Sequence, residues 1–442
     1  MYDENCLYWI WLADRCGAAS KDFARLIARF ENPFEIYRLE PEEIGAIDFV
    51  GQRLRDALSR KSLERAYSIL KYCRDNKVDI ITYGDERYPS RLKMLENPPA
   101  LLYCIGKFPD FNNRLCIGIV GTRKISAYGM EAAYKISYEL ASANVCVVSG
   151  MALGIDAVAA CGVLEAGGDT VAVLGSGIDI VYPKPHAKLQ RAIAGSGAVI
   201  TEYPPSEPPR GKNFPLRNRL ISGLCQGVLV IEGDHSSGAL ITAECAVAQG
   251  RDLFALPGKI NECNSEGTNS LIQSGANMAL RSEDIILHYD FLYHDTINYR
   301  GLKRSKSSSD FKVGALKKYG VSSDVYYSVA EIKARAEAAE RAQRAASQKK
   351  SGGTANMTDN VKYEREEETV PRNGGSDNSD ALLATLDTAT RRVFNLMPLD
   401  RAVSPDEFAS AGVGIAEAVT ALTMLEINGL VSSLPGGTYI RK

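Results

Sequence analysis

The spacing of apolar and polar residues changes along the chain and divides it into regions. In residues 1–75 the apolar positions recur at helical spacing, which predicts a small helical domain. Its predicted helices cover residues 21–30, 41–46, 51–60 and 62–76. Trp9 and Trp11 lie in this region, and we expect both indole rings to fill its core.

From about residue 113 short apolar runs alternate with amphipathic segments. The runs are 115–120, 145–149, 170–174, 198–201, 228–231 and 252–256, and helical segments between them include 128–143, 156–166 and 238–249. Continuous apolar runs of this length are typical of parallel strands that are buried on both faces of a sheet. Right-handed crossovers then predict a doubly wound α/β domain.

The alternation stops near residue 285. An alanine-rich charged stretch that starts at Glu331 predicts an exposed helix, and residues from about 351 to 380, rich in Gly, Ser, Asn and acids, predict a disordered linker. From Asp380 onward the pattern predicts three helices followed by a small hairpin, the order found in a winged helix. The predicted division is therefore 1–75, 76–290, 291–380 and 381–442.

Composition narrows the class of protein. The 442 residues are 45% hydrophobic and 24% charged, as expected for globular domains with substantial cores. No apolar run approaches the roughly 20 residues that span a bilayer, and the N-terminus lacks the features of a signal peptide, so we expect a cytoplasmic protein without membrane contact. Ten cysteines without a CxxC pair and four histidines without metal-site spacing predict no metal, no cofactor and no disulfide framework. Cys116 and Cys146 are expected in the core.

The net charge of −2 provides no global attraction for nucleic acid, so any such binding requires a local basic patch. One basic patch is the segment RGKNFPLRNR, whose cations are Arg210, Lys212, Arg217 and Arg219. Phe214 stands among these charges. Cations that neutralise phosphates beside a ring that stacks on bases are the components of a single-strand groove, although a phenylalanine before proline also serves as a packing residue.

Polar residues and glycines follow the predicted strands at their carboxyl ends, where ligands of doubly wound sheets collect. We expect anion binding there, because backbone N–H groups and hydroxyls converge and Arg123 can bind a phosphate through two hydrogen bonds. Asp156 can instead cap a helix. The candidate residues at these ends are Gly121, Thr122, Arg123, Ser126, Gly150, Asp156, Ser237 and Gly238.

Two nucleotide-binding motifs are excluded. Gly175 and Gly177 follow the third strand in the manner of a dinucleotide-binding turn, but Ile180 stands where the third glycine is required, which argues against NAD. The chain also has no GxxxxGK[ST] sequence, so a P-loop ATPase is not expected.

A series of motifs in this order resembles the DprA/Smf family. The motifs are GTRKISAYG, SGMALGID, AVLGSGIDIVYP, TEYPP, FPLRNRLISGL and VIEGDHSSGALITA, and the resemblance covers about residues 80–280. It implies an extended Rossmann-like domain flanked by an N-terminal SAM/HhH-like helical domain and a C-terminal winged helix. It also implies a homodimer without catalytic activity that binds and protects single-stranded DNA and loads the RecA recombinase in natural transformation.

Transferred residue by residue, the resemblance places a DNA-binding pocket on the strand-end loops and the basic segment. The residues so assigned are Gly121, Thr122, Arg123, Ser126, Gly150, Asp156, Lys212, Phe214, Arg217, Asn218, Arg219, Ser237 and Gly238. Three positions depart from the family pattern: Thr122 replaces a serine, Ala160 a histidine and His186 an asparagine. Threonine keeps the hydroxyl, whereas Ala160 removes a polar group and makes catalysis less expected.

Two other functions stay open at this point. SGALITAE is distantly similar to a loop of the phosphoribohydrolases, and a Rossmann-like nucleotide hydrolase could use Glu202, Glu232 or Glu244 as its acid or base. The basic RNR sequence favours a polymer over a free nucleotide. The third hypothesis is an adaptor that binds partner proteins through its terminal domains.

Overall fold

The computed structural model describes residues 5–305, 311, 313–324 and 388–398, together with single residues and short stretches between 401 and 441. The chain forms two compact units, Met1–Gly352 and Gly353–Lys442. The predicted linker at 351–380 and the predicted helix from Glu331 lie outside the described residues.

The first unit begins with short helices. They are α1 (Asn5–Cys16), α2 (Lys21–Phe30), α3 (Pro33–Arg38), α4 (Pro41–Gly45), α5 (Gln52–Ser59) and α6 (Glu64–Asp75). Ser20 caps α2 by accepting the Phe23 N–H, and Asn32 caps α3 by accepting the Phe34 N–H. The expected burial of Trp9 and Trp11 is confirmed. These helices share one core with the sheet, and the predicted boundary at residue 75 stays a prediction.

A nine-stranded sheet follows, in the order β1-β2-β6-β5-β4-β3-β7-β8-β9. Its strands are β1 (Asp79–Thr82), β2 (Leu101–Gly106), β3 (Cys116–Val120), β4 (Cys146–Ser149), β5 (Thr170–Val173), β6 (Ala198–Thr201), β7 (Gly227–Val230), β8 (Asp252–Ala255) and β9 (Asn277–Met278). Every strand pair among β3 to β9 is parallel, as expected for the doubly wound domain.

One edge of the sheet is antiparallel, and the sequence analysis predicted no strand there. β1 pairs with β2 in antiparallel fashion, and β2 in turn pairs antiparallel with β6, placing Tyr103 opposite Thr201. The connection between β1 and β2 contains the short α7 (Ser90–Lys93). The partner of β2 is almost a hundred residues away, so local periodicity contains no signal for it.

Helices cover both faces of the sheet. They are α8 (Ala127–Ser142), α9 (Ile155–Glu165), a 3-10 turn (Lys184–His186), α10 (Ala187–Ser196), α11 (Asn213–Leu224), α12 (Gly238–Ala248), α13 (Cys263–Gln273), α14 (Ser282–His288), α15 (Asp290–Tyr293), α16 (Tyr299–Ser305) and α17 (Val313–Lys318). Alternate residues of β3 enter different cores: Ile117 packs on the α8–α9 side, and Val120 on the α11–α12 side. Cys116 and Cys146 are buried, as expected. In the described part of the chain, no helix has both the length and the apolar character needed to cross a bilayer.

The order of the strands creates a topological switch point. From β3 to β6 each new strand is added on the same side, and the chain then crosses back to place β7 on the other side of β3. The loops that leave β3 and β7 therefore diverge, and a crevice opens at their carboxyl ends. This position is where the fold is expected to bind a ligand.

The second unit contains α18 (Thr388–Leu396) and the antiparallel pair β10 (Val431–Leu434) and β11 (Thr438–Arg441). Val393, Phe394 and Leu425 belong to its core, which also contains Val431 of β10. The hairpin agrees with the predicted wing. The helices predicted at 405–410 and 415–428 lie partly outside the described residues.

Candidate nucleic-acid interface

A cavity of about 630 Å³ occupies the switch point. We call it the switch-point groove. Its walls are the loop after β3, the loop after β7 and one face of α11, and its lining includes Gly121, Thr122, Arg123, Lys124, Asp156, Phe214, Arg217, Asn218, Ser237 and Gly238. The structure thus brings together most of the residues that the sequence predicted for the site.

Helix α11 contributes Pro215 and, at helical spacing, Phe214, Arg217, Asn218 and Ile221. The sequence indicated a basic segment here but not a helix, because Pro215 interrupts it. Proline is tolerated in the first turn of a helix, where its missing N–H costs little. The helix turns these side chains toward the groove as one wall.

Arg217 attaches α11 to the ends of two strands. Its buried guanidinium donates to the carbonyl of Gly150 at 3.0 Å and to the carbonyl of Val173. Burial lowers the pKa of Arg217 to about 10, while Asp156 opposes this shift, so the group stays charged at neutral pH. A Cβ on residue 150 would lie 2.6 Å from Nη2 of Arg217, which explains the need for glycine there. Arg217 thus forms part of the groove wall, and some of its N–H groups donate to backbone carbonyls of the protein itself.

Asp156 organises a loop rather than capping the end of its helix. Its Oδ2 accepts the N–H of Gly150 at 3.0 Å and that of Ala152 at 3.4 Å. Burial raises the pKa of Asp156, and Arg217 and the two N–H donors oppose that shift. Asp156 therefore lines the groove and stabilises the loop after β4, and its contact with DNA stays a prediction.

Ser126 does not face the groove. Its hydroxyl caps α8 by accepting the Gly129 N–H at 3.0 Å, and it donates to Glu232. The Ser126 N–H also donates to Glu232, at 3.0 Å. A carboxylate of the protein therefore occupies the helix N-terminus at which we expected an external phosphate, and the prediction for Ser126 is corrected. Burial raises the pKa of Glu232, and its hydrogen bonds with Ser126 and Asn264 oppose that shift.

Two cations of the basic segment lie away from the groove. Arg219 is only 5% exposed and donates to Glu202 at 2.5 Å. It cannot reach a phosphate without breaking this pair, so we do not include it in the interface. Lys212 is exposed and lines a different cavity, on the side of α11 that faces the N-terminal helices.

The strand-end loops present their groups as predicted. Arg123 is exposed and lines the groove, and it makes no ion pair within the described residues. Thr122 Oγ1 accepts the Lys124 N–H at 3.1 Å and so holds the turn. Ser237 caps α12 by accepting the Ala239 N–H at 3.4 Å. The groove therefore combines one unpaired guanidinium with the N-terminus of a helix.

Phe214 has an aromatic neighbour that the sequence analysis missed. The rings of Phe214 and Tyr182 have centroids 5.2 Å apart and are tilted by 35°. Tyr182 is 39% exposed, and Phe214 is half-buried. Both line the groove. The only available signal was a tyrosine before proline at the end of a strand loop, which by itself indicates no contact with Phe214.

The carboxylates considered for a hydrolase are not gathered in the groove. Glu202 is paired with Arg219, and Glu232 is held by Ser126. Glu244 is exposed on α12 and is not among the residues that line the groove. The groove has no pair of free carboxylates among its described lining residues, since Asp156 accepts backbone N–H groups and Asp234 accepts from Ser236.

Comparison with known proteins finds two matching family models. Residues 79–290 match the model described as DNA recombination-mediator protein A, and residues 377–437 match the DprA winged helix domain. DNA processing protein DprA of Streptococcus pneumoniae is 40% identical over 212 residues, which are 47% of this chain and 73% of that protein. Protein Smf of Synechocystis is 33% identical over 290 residues, covering 65% of this chain and 73% of that protein.

A solved structure agrees with the fold. The X-ray structure of DNA processing protein A from Streptococcus pneumoniae overlays with a TM-score of 0.57 at 32% identity, covering 65% of this chain and 98% of that chain. The overlay thus includes almost all of that structure and about two thirds of this chain.

Proposed function

Because this chain belongs to the DprA/Smf family, we propose that it binds single-stranded DNA in the switch-point groove and delivers it to the RecA recombinase in natural transformation. This proposal places the protein in the cytoplasm, where such a strand meets the recombinase. The description of the matching model as a recombination mediator supports the recombinase as partner.

One observation carries the choice of ligand. The same groove contains the guanidinium of Arg123, which has no ion pair with any residue that the structure describes, and two adjacent aromatic rings, those of Tyr182 and Phe214. A guanidinium binds phosphate, and rings stack on bases of any sequence. A phosphate-binding group and base-stacking rings that lie on different elements of one groove suit a polymer, whereas a free nucleotide needs only one pocket.

The proposed activity is binding rather than catalysis. A nucleotide hydrolase needs an acid or a base that reaches the ligand, and the candidates considered from the sequence are Glu202, Glu232 and Glu244. Glu202 and Glu232 are instead buried in internal hydrogen bonds, and Glu244 stands outside the groove. These positions support the non-catalytic alternative.

We include a homodimer in the proposal. Exposed apolar residues concentrate in and directly after β9 and on α14 and α15: Met278, Leu280, Leu287, Phe291 and Leu292. An apolar patch of this kind is typical of a protein contact, and Phe291 is 96% exposed. Sedimentation of the intact chain is expected to show a dimer that Phe291→Asp weakens. A wild-type protein that stays monomeric at all concentrations would contradict this part.

Fluorescence anisotropy with labelled oligonucleotides tests the DNA-binding proposal. We expect tighter binding to a single strand than to the duplex of the same sequence or to mononucleotides. Arg123→Ala is expected to weaken binding, whereas Arg29→Ala, which changes an exposed arginine of α2, leaves it unchanged. Equal affinity for a mononucleotide, or release of free base from it, would favour the hydrolase.

A further inference from the structure

A second cavity lies on the opposite side of α11. It has a volume of about 280 Å³ and is enclosed by α1, α6, β2, the chain after β6 and the start of α11. Its rim contains exposed residues, among them Lys212, Leu216 and Ala18, and its floor contains the buried Tyr103 and Tyr203. We call it the helical-side cavity. Its volume is at the small end of the range of ligand pockets, which suits a group of the size of a nucleobase.

The same short segment of chain borders both cavities. Pro209, Gly211, Phe214 and Pro215 line the switch-point groove, whereas Arg210, Lys212, Asn213 and Leu216 line the helical-side cavity. Within α11 this division follows from helical geometry, because successive residues are turned by about 100°. One helix therefore forms the wall between the groove and the cavity, and a ligand that extends from one to the other crosses the N-terminus of α11.

The N-terminus of α11 is suited to a phosphate. The helix has 12 residues, no acidic residue in its first turn and no side-chain cap. The partial positive charge of a helix N-terminus favours an anion. Lys212, the residue directly before the helix, is exposed and makes no ion pair within the described residues. Two independent sources of positive charge thus coincide at the crossing point.

The interior of the helical-side cavity is different, because its other charges are already paired. Arg65 pairs with Asp14 at 2.7 Å, and Arg210 pairs with Glu207 at 3.5 Å. Glu202 is paired with Arg219, which lies behind the wall. Tyr103, Tyr203 and Leu216 add apolar surface. A neutral, partly apolar interior behind a cationic rim favours a base inside and its phosphate outside.

We propose that the helical-side cavity binds a nucleobase of the same DNA strand that occupies the switch-point groove. The strand crosses the N-terminus of α11 with a phosphate beside Lys212, and the next base enters the cavity between α11 and the N-terminal helices. This inference rests on the proposed single-strand function and adds a second base site to it. It also gives the N-terminal helices a part in DNA binding.

An abasic scan tests the proposal. Oligonucleotides of about 4 to about 16 nucleotides, the range of common single-strand site sizes, carry one abasic position that moves along the strand. In the wild-type protein we expect two separated positions at which base removal weakens binding, one for the groove and one for the cavity. Each loss is expected to be at least about fivefold in Kd.

Two variants fill the cavity from opposite walls. Leu216→Trp acts from α11 and Ala18→Trp from the N-terminal helices, and both positions are exposed, so the fold is expected to tolerate them. In each variant, removal of the base at the second position should no longer weaken binding, while removal at the first position still does. The affinity for the shortest oligonucleotides should be unchanged. Ile260→Trp is the control, because Ile260 is 95% exposed and lines neither the switch-point groove nor the helical-side cavity. Thermal melting verifies folding.

The outcomes separate this inference from the proposed function. The second base site is overturned if base removal weakens wild-type binding in only one region of the strand. It is also overturned if the abasic scan is unchanged in both tryptophan variants. Either result leaves the proposed function of the groove intact. Altered binding of a mononucleotide with unchanged strand binding makes the cavity a site for free nucleotides and also overturns it. Absence of any single-strand binding by the wild-type protein overturns the proposed function and this inference together.

Discussion

Arg219 of α11 donates to the carboxylate of Glu202 at 2.5 Å, and both side chains are almost fully buried. The same carboxylate accepts the Ala19 N–H at 3.3 Å, so the pair connects α11 to the N-terminal helices. Glu202 Oε1 and two nitrogens of Arg219 have no hydrogen-bond partner among the described residues. The pair is therefore a structural contact that stabilises the fold only while both partners are present.

Removing one partner of this pair is expected to destabilise the fold. Arg219→Ala leaves Glu202 buried without its partner and should lower the free energy of unfolding by about 3–5 kcal/mol. The double variant Arg219→Met with Glu202→Met removes both charges and should lower the free energy of unfolding by less than Arg219→Ala does. Urea denaturation measures both. A large loss of DNA affinity in Arg219→Ala at unchanged stability would instead place Arg219 at the DNA.

Arg123 is expected to contribute to the salt dependence of DNA binding. If its exposed guanidinium neutralises one phosphate, Arg123→Ala should flatten the slope of log K against log salt by about 0.7. Arg123→Lys should keep most of the slope and lose affinity, because an ammonium cannot form two parallel hydrogen bonds with a phosphate. Titration of a single strand at several salt concentrations checks this. An unchanged slope in Arg123→Ala contradicts a phosphate contact.

The aromatic pair should act through bases and not through charge. We expect Phe214→Leu and Tyr182→Leu each to lose about 1–3 kcal/mol of binding free energy with an unchanged salt slope. Tyr67→Leu changes a ring of α6 that is 58% exposed and outside the groove, and it serves as control. Anisotropy gives affinity, and thermal melting detects a packing defect. A destabilised Phe214→Leu protein that binds normally would make Phe214 a core residue only.

Residue 129 must be glycine, because the carboxylate of Glu232 occupies the adjacent space at the start of α8. A Cβ at this position would overlap the Glu232 carboxylate. Gly129→Ala should therefore displace Glu232 from the Ser126 N–H and cost about 1–3 kcal/mol of stability. Gly195→Ala is the matched control, because this glycine lies in α10, where an added Cβ would meet no atom within 4 Å, and alanine favours the helix. Equal melting temperatures for the two variants would contradict the proposed clash.

Acidification is expected to destabilise the protein through His186. Its Nδ1 lies 3.1 Å from the Met151 carbonyl oxygen, in the loop after β4. Burial lowers the pKa of His186 below 6.5, while the Met151 hydrogen bond and Asp156 oppose that shift. The unfolded chain thus binds a proton at higher pH than the folded chain, so stability is present above about pH 6.5 and falls as pH decreases toward the folded pKa.

His186→Asn removes this titration and introduces the residue expected from the family resemblance. Urea denaturation between about pH 7 and about pH 5 should show a smaller loss of stability in the variant than in the wild-type protein. Parallel pH dependences in the two proteins would mean that other groups cause the loss. The comparison requires the variant to be folded at neutral pH, which the upper end of the series measures directly.

Local features of the sequence were sufficient to predict the parallel strands β3 to β8 and the loops that follow them. A strand buried on both faces is a continuous apolar run, so β3 to β8 were visible as 115–120 and the runs that follow. The residues directly after such runs must gather at one edge of the sheet, which placed Arg123 and Ser237 correctly in the groove. Pattern, motif order and family resemblance together therefore located most of the residues that line the switch-point groove.

Tertiary structure alone decided which way each side chain of the site faces. Lys212, Arg217 and Arg219 are close in sequence, yet one is exposed beside the helical-side cavity, one forms the groove wall and one is buried. The turn of about 100° per residue separates them, and the partners that hold them come from β4, β5 and Glu202. Glu232, which withdraws Ser126 from the groove, is 106 residues away in the chain. Contacts over such distances depend on the packing of the whole sheet, for which local sequence contains no signal.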